Sequence, residues 1–236
     1  MNDLIAAFLK EVLGYVPVLA SVVASPRQTI PHRIYDRNAP LKDAMTFFGA
    51  TLALLLVLQA PLVGSEHDYI KVAGPLLAIK IVTMLVFAAS ITFLFRVAGG
   101  HGGFIATLCA SLYIVAPVYL FTVTLKLLGL GILTTGHPAE TADLKAGALS
   151  FEQTMHLLTS EGSGTAMLIT GLMLVYMIGV IGWYLVCWRI YRQIHDVSRL
   201  RSGLIYLVTW LLYAGTVHLD RFMQHAIFDG KPPPVF

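Results

Sequence analysis

The chain has 236 residues, of which 57% are hydrophobic and only 12% charged, with a net charge of +3. Soluble domains carry about 25% charged and about 45–50% apolar residues, so most soluble folds are excluded, and so is disorder, which needs low hydrophobicity and high charge. The mild positive balance shows no dense basic stripe of the kind a nucleic-acid partner requires.

In the N-terminal segment 1–43, Leu4, Ile5, Phe8, Leu9, Val12 and Leu13 fall on helical spacing, with Asp3, Lys10 and Glu11 on other faces. That pattern predicts an amphipathic helix lying in the membrane interface. The apolar stretch Tyr15 to Ala24 is too short to span, and Pro26 and Pro31 are expected to break the chain after it. A cleaved signal peptide is rejected, because Asp3 and Glu11 spoil a basic leading region and no A-x-A site follows.

A helix needs about 20 mostly apolar residues to cross about 30 Å of hydrocarbon. Windows free of Asp, Glu, Lys and Arg run from Ala44 to Ser65, Ile81 to Phe95, Val97 to Leu125, Gly162 to Trp188 and Ser202 to Leu219. They predict an all-α fold: one polytopic helical bundle over 44–225, with five spans near 44–63, 72–97, 104–133, 165–191 and 203–225. Continuous apolar runs such as Leu52 to Leu58 lack the alternation of barrel strands. An outer loop covers 134–164, in which Leu149 to Leu158 is a candidate surface helix capped by Ser150, with Gln153 three residues on. The tail is 226–236.

Lysine and arginine in short loops set orientation. With the N-terminus inside, the inner segments hold ten of the 16 basic residues and the outer segments four, while Lys80 and Lys126 lie inside spans. The expected protein is multi-pass, with a cytoplasmic N-terminus and an outward, periplasmic C-terminus in a bacterial inner membrane. Cys109 and Cys187 fall near inner helix ends, where packing of a small apolar side chain is the expected role rather than a disulfide.

An ionisable residue inside the bilayer is a functional hypothesis by default. Lys80, Lys126, His218 and Asp220 form the candidate intramembrane polar cluster, with Asp220 as counter-ion for either lysine. Three readings stay open for the lysines: snorkelling to the interface, a structural ion pair, or a hydrated cavity for an anion, proton or ion. His218 and His225, seven apart, share a helix face but supply only two nitrogens, so no metal or cofactor site is expected. Metalloprotease, C-x-x-C, nucleophile-elbow and P-loop patterns are missing from the sequence, and no catalytic residue is assigned.

Helix packing is expected to use Gly171, Gly179 and Gly182 in the fourth span. Pro117 should kink the third span beside Tyr113 and Tyr119, and Gly129 and Gly131 should loosen its outer end. Between the second and third spans, Gly99, Gly100, Gly102 and Gly103 surround His101 in a tight inner turn. Phe104, Thr107, Leu108, Tyr113 and Pro117 follow.

That stretch resembles the Yip (Ypt-interacting protein) domain family of integral membrane proteins, in its bacterial branch. The signature positions read Gly99, Gly100, Gly103, Phe104, Thr107, Leu108, Tyr113 and Pro117, and Ser25 to Ile30 resembles the proline-led segment before the first span. The likeness covers roughly residues 20–225, and the long outer loop departs from the compact family pattern. It implies five helices, a cytoplasmic N-terminus, an outward C-terminus and no catalytic residues. Eukaryotic relatives bind Rab-type GTPases in membrane traffic, machinery that bacteria lack.

The leading expectation is a non-enzymatic scaffold or accessory subunit in contact with the bilayer, pairing with itself or with other membrane proteins. The basic inner loop, Arg189, Arg192, Arg199 and Arg201, would touch such a partner or anionic lipid headgroups. The alternatives are a small ion, proton or anion channel or transporter using Lys80, Lys126 and Asp220, and a redox or metal-binding subunit using His218 and His225.

Overall fold

The computed structural model of the chain describes residues 14–59, 69–145 and 164–227. The expected helices at Leu4 to Leu13 and Leu149 to Leu158, and the tail beyond Ile227, lie outside the described residues.

Helix α1 (Gly14–Ala24) is too short to span and packs on α3 (Pro40–Gln59). The Thr51 hydroxyl donates to the Phe47 carbonyl (3.0 Å), so the Tyr15 phenol donates to Thr51 Oγ1 (2.9 Å). Tyr15 also tilts against Phe47 at 5.0 Å. Burial pushes the Tyr15 phenol above its ordinary pKa. Helix α2 (Pro26–Tyr35) buries Ile30 and Ile34.

The expected break at Pro31 does not occur: Pro31 lies within α2, and the helix is interrupted at Ser25, with φ −143° and ψ 59°. Pro26 opens α2, where its fixed φ suits the first turn and its missing N–H is an orphan anyway. Pro31 removes only the donor to the carbonyl of Arg27, an exposed residue. The Thr29 hydroxyl reaches back across the interruption to the Ser21 carbonyl (3.0 Å).

The long helices are α3, α4 (Tyr69–Val97), α5 (Phe104–Gly136), α7 (Gly164–His195) and α8 (Arg199–Ile227), with the short α6 (Pro138–Lys145) in the expected outer loop. Among the described residues, four stretches are long and apolar enough to cross a membrane: Pro40–Leu58, Leu77–Val97, Phe104–Gly136 and Gly164–His195. Helix α8 runs unbroken through the fifth expected span; its 29 residues reach about 44 Å at 1.5 Å each. The expected loosening at Gly129 and Gly131 is absent, since α5 continues through both to Gly136.

Helix α5 is the axis. Its spanning window is 61% buried, against 17% for α7. It packs chiefly on α3 and α7, while α8 packs on α4 and touches α7 little. Ring contacts Phe47–Tyr113 and Phe48–Tyr119 hold the first half of α3 against the first half of α5. Thr107 meets His195 at one end and Gly136 meets Thr165 at the other, so α7 runs antiparallel to α5. The short turns after α4 and α7 therefore gather at one end of the bundle with α2. Residues 26–43, 96 and 189–201 at that end hold nine Lys and Arg against three Asp. These are nine of the ten basic residues that the sequence assigns to the inner segments, placed together at one end.

Candidate functional site

The glycine run and the end of α7 build one another at the basic end. Helix α4 closes with Gly99 at φ 88°, the Gly99 N–H on the Arg96 carbonyl (2.9 Å) and the Gly100 N–H on the Phe95 carbonyl (2.8 Å). This is the Schellman arrangement, in which a left-handed residue turns two donors back onto the last helical carbonyls. Helix α7 ends with the same turn: Asp196 has φ 49°, and the Val197 N–H reaches the Arg192 carbonyl (3.3 Å). The two caps pack together. A Cβ on Gly100 would lie 2.9 Å from Val197 Cγ2 and 2.8 Å from the Phe95 carbonyl.

His195, fully buried, sits between them. Its ring stacks on Phe95 at 4.5 Å and 9°. Its carbonyl accepts the His101 N–H (3.1 Å), tying the glycine loop to α7. Its Nε2 lies 2.9 Å from Thr107 Oγ1, whose own proton goes to the Gly103 carbonyl (3.1 Å). A hydroxyl has one proton, so the network assigns the Nε2–H tautomer. Nδ1 is then a buried acceptor without a hydrogen-bond partner among the described residues. It faces Gly102, where a Cβ would fall 2.5 Å from it. The glycines are needed here mainly for close approach. Among the described glycines, only Gly99 has positive φ, and Gly103, at φ −81°, has open space around its Cβ position.

A polar seam continues along α5 and α7. The Ser111 hydroxyl donates to the Thr107 carbonyl (2.9 Å), so the Tyr191 phenol donates to Ser111 Oγ (2.9 Å). The Trp183 indole donates to the Ile114 carbonyl (2.8 Å), in the turn before Pro117. Helix α5 runs unbroken through Pro117. Gly179 lets Phe121 approach to 2.9 Å of its Cβ position, whereas Gly171 and Gly182 have open space there. Cys109 and Cys187 are buried, free thiols.

The basic loop surrounds this clasp. Arg201 reaches the Ala98 carbonyl (3.4 Å), placing a cation on the C-terminus of α4, where the helix dipole favours one. Arg189 and Arg199 are exposed and Arg192 is half-buried. Arg27 donates to the Val186 carbonyl (3.1 Å), and the Arg33 guanidinium lies 5.9 Å from the Tyr113 ring centroid.

Of the four expected intramembrane residues, the side chains of three are described. Half-buried Lys80 holds its ammonium over the Tyr119 ring, 5.9 Å from the centroid, a cation–π contact between α4 and α5. Lys126 and His218 are exposed. Asp220 and His225 lie within α8, and their side chains are outside the described residues, so the proposed counter-ion and histidine pair are not placed. Among the described residues, no group of three or more His, Cys, Asp and Glu is arranged to hold a metal.

Sequence reasoning found the glycine run but missed what it encloses. Its partner His195 is 92 positions beyond Gly103, and neither segment carries a local signal for the other. The apolar spans and this end-to-end clasp define the class: an integral membrane protein built as an all-helical bundle. No protein-family model, curated protein or solved structure matches the chain.

Proposed function

We propose that the protein is a non-enzymatic membrane scaffold or accessory subunit, with five spans and its basic end in the cytoplasm of a bacterial inner membrane. The observation that carries this is α7. It buries only 17% of its window within its own chain, is tied at the clasp by the bond from the His101 N–H to the His195 carbonyl, and leaves Gly171 and Gly182 open. Small residues let a second helix backbone approach closely in lipid. The partner is a second copy or another membrane protein, and the basic end meets anionic headgroups. The likeness to Yip proteins belongs to this reading, since their signature positions fall on the clasp and the first half of α5. Native mass spectrometry of gently extracted protein tests it. Co-purifying subunits or a homo-oligomer are expected, and Gly171→Leu should disperse them. A monomer unaffected by that change would refute the scaffold reading.

A small channel or transporter is the second reading, favoured by the half-buried Lys80 ammonium over Tyr119 close to Pro117. It requires ion or proton flux in protein-loaded liposomes that changes with Lys80→Met. Tight liposomes under both gradients would remove it.

A further inference from the structure

Helix α2 lies across the bundle rather than along one partner, since it packs on α7, α5 and α3. Arg27 donates to the Val186 carbonyl of α7, and six residues on, the Arg33 guanidinium lies 5.9 Å from the centroid of the Tyr113 ring on α5. Six residues advance a helix by about 9 Å, which matches the spacing of about 8–10 Å between packed helix axes. Ile30 and Ile34 are buried, while Gln28, His32 and Tyr35 are exposed. A helix with one apolar face, held across the spans at the basic end, belongs in the headgroup layer.

Where α2 crosses α5, donors lack acceptors. Arg33 is half-buried, yet it has no carboxylate within ion-pair distance among the described residues. Asp36, three positions on, is engaged by His32 (2.6 Å). Tyr113 is fully buried, and its hydroxyl has no hydrogen-bond partner among the described residues. Arg33 acts on that phenol electrostatically, but a guanidinium only donates, so the phenol proton still lacks an acceptor. Helical side chains lean toward their helix N-terminus, which for Tyr113 is the basic end of α5. Asp43, half-buried in the first turn of α3, is the acid that acts on the same phenol. An oxyanion would satisfy the two donors, and an ammonium would satisfy the carboxylate.

We propose that the crossing of α2 over α5 binds one phospholipid headgroup that carries both a phosphate and a primary ammonium, as phosphatidylethanolamine does. The half-buried Arg33 side chain lifts from the Tyr113 ring onto the phosphate. A phosphate oxygen then accepts from the uncovered phenol, and the ammonium donates to Asp43. Phosphatidylcholine offers the same phosphate but no N–H, and phosphatidylglycerol offers no cation, so the site distinguishes lipids of one leaflet. The proposal rests on the basic end meeting the bilayer surface, as stated above, and it assigns a site separate from Arg192 and Arg199.

Native mass spectrometry of the delipidated chain, titrated with each of the three lipids in a non-ionic detergent, tests it. Wild type should bind one phosphatidylethanolamine roughly fivefold more tightly than either other lipid, a ranking that needs no variant. Arg33→Gln should weaken that binding roughly tenfold and Tyr113→Phe roughly threefold. Asp43→Asn should erase the preference over phosphatidylcholine while the phosphate contact persists. Arg199→Gln should change nothing at this site. Glycerophosphoethanolamine, which has the headgroup but no acyl chains, should not compete, and full competition would overturn a lipid as the ligand. A preference for phosphatidylglycerol that falls with Arg199→Gln but not with Arg33→Gln would overturn the site while leaving the anionic headgroup contact standing. Equal binding of all three lipids would overturn both.

Discussion

Gly102→Ala adds one methyl group at the tightest point of the clasp. Its Cβ would lie 2.5 Å from His195 Nδ1, 2.7 Å from the Ile194 carbonyl oxygen and 2.8 Å from His195 Cγ. Ordinary contact begins near 3.4 Å, so about 0.9 Å of movement is needed. Neither neighbour yields easily: one is helix backbone, and the other is a ring fixed by Phe95 and Thr107. Overpacking of this kind costs about 1–3 kcal/mol, and displacing the ring from Thr107 adds about 1–3 kcal/mol for a buried group left unmade. A loss of about 2–6 kcal/mol lowers the melting temperature by roughly 4–24 °C at the 2–4 °C per kcal/mol typical of this chain length. The assay is the fraction of monodisperse protein surviving a heat ramp in detergent, read by size-exclusion chromatography. Gly103→Ser is the control. Its Cβ meets nothing within 4 Å, and Gly103 caps α5 without a side-chain bond, so serine should be neutral or slightly stabilising. Removing the ring with His195→Ala should relieve the ring's share of the Gly102→Ala penalty while the Ile194 carbonyl contact persists, giving a coupling above about 1 kcal/mol in a double-mutant cycle. Equal melting of the two glycine variants, or strict additivity with His195→Ala, would refute the cradle.

Two further outcomes follow from donor assignments and burial. Ser111→Ala strands the buried Tyr191 hydroxyl and should cost about 1–3 kcal/mol, whereas Tyr191→Phe removes the donor itself and should cost about 0.5–1.5 kcal/mol; a larger loss for Tyr191→Phe would reverse the assignment. Tyr15 has a raised folded-state pKa, so its contribution is present below about pH 10 and lost as pH rises through the folded value. The difference in 295 nm absorbance between wild type and Tyr15→Phe should therefore appear above the midpoint of an exposed tyrosine, and a midpoint at or below it would contradict the burial of Tyr15.

The spans were legible because lipid makes a demand that each segment answers alone. About 20 apolar residues in a row suffice, and α3, α4, α5 and α7 each meet that demand. Helix ends were less legible because charges and glycines do not stop a helix by themselves. Gly129 and Gly131 are simply carried through α5, and Pro31 is accommodated within α2. The clasp was half legible. Gly99 announces a left-handed turn locally, but Gly100 and Gly102 are required by His195, and only the antiparallel packing of α5 and α7 brings that residue to them. The same physics separates the arginines. The sequence groups Arg201 with Arg192 and Arg199 by charge, yet Arg201 reaches the Ala98 carbonyl at the end of α4 while Arg199 is exposed and Arg192 half-buried. Charge alone locates the basic end of the bundle; only the packing of α8 on α4 shows that Arg201 is the one that caps a helix there.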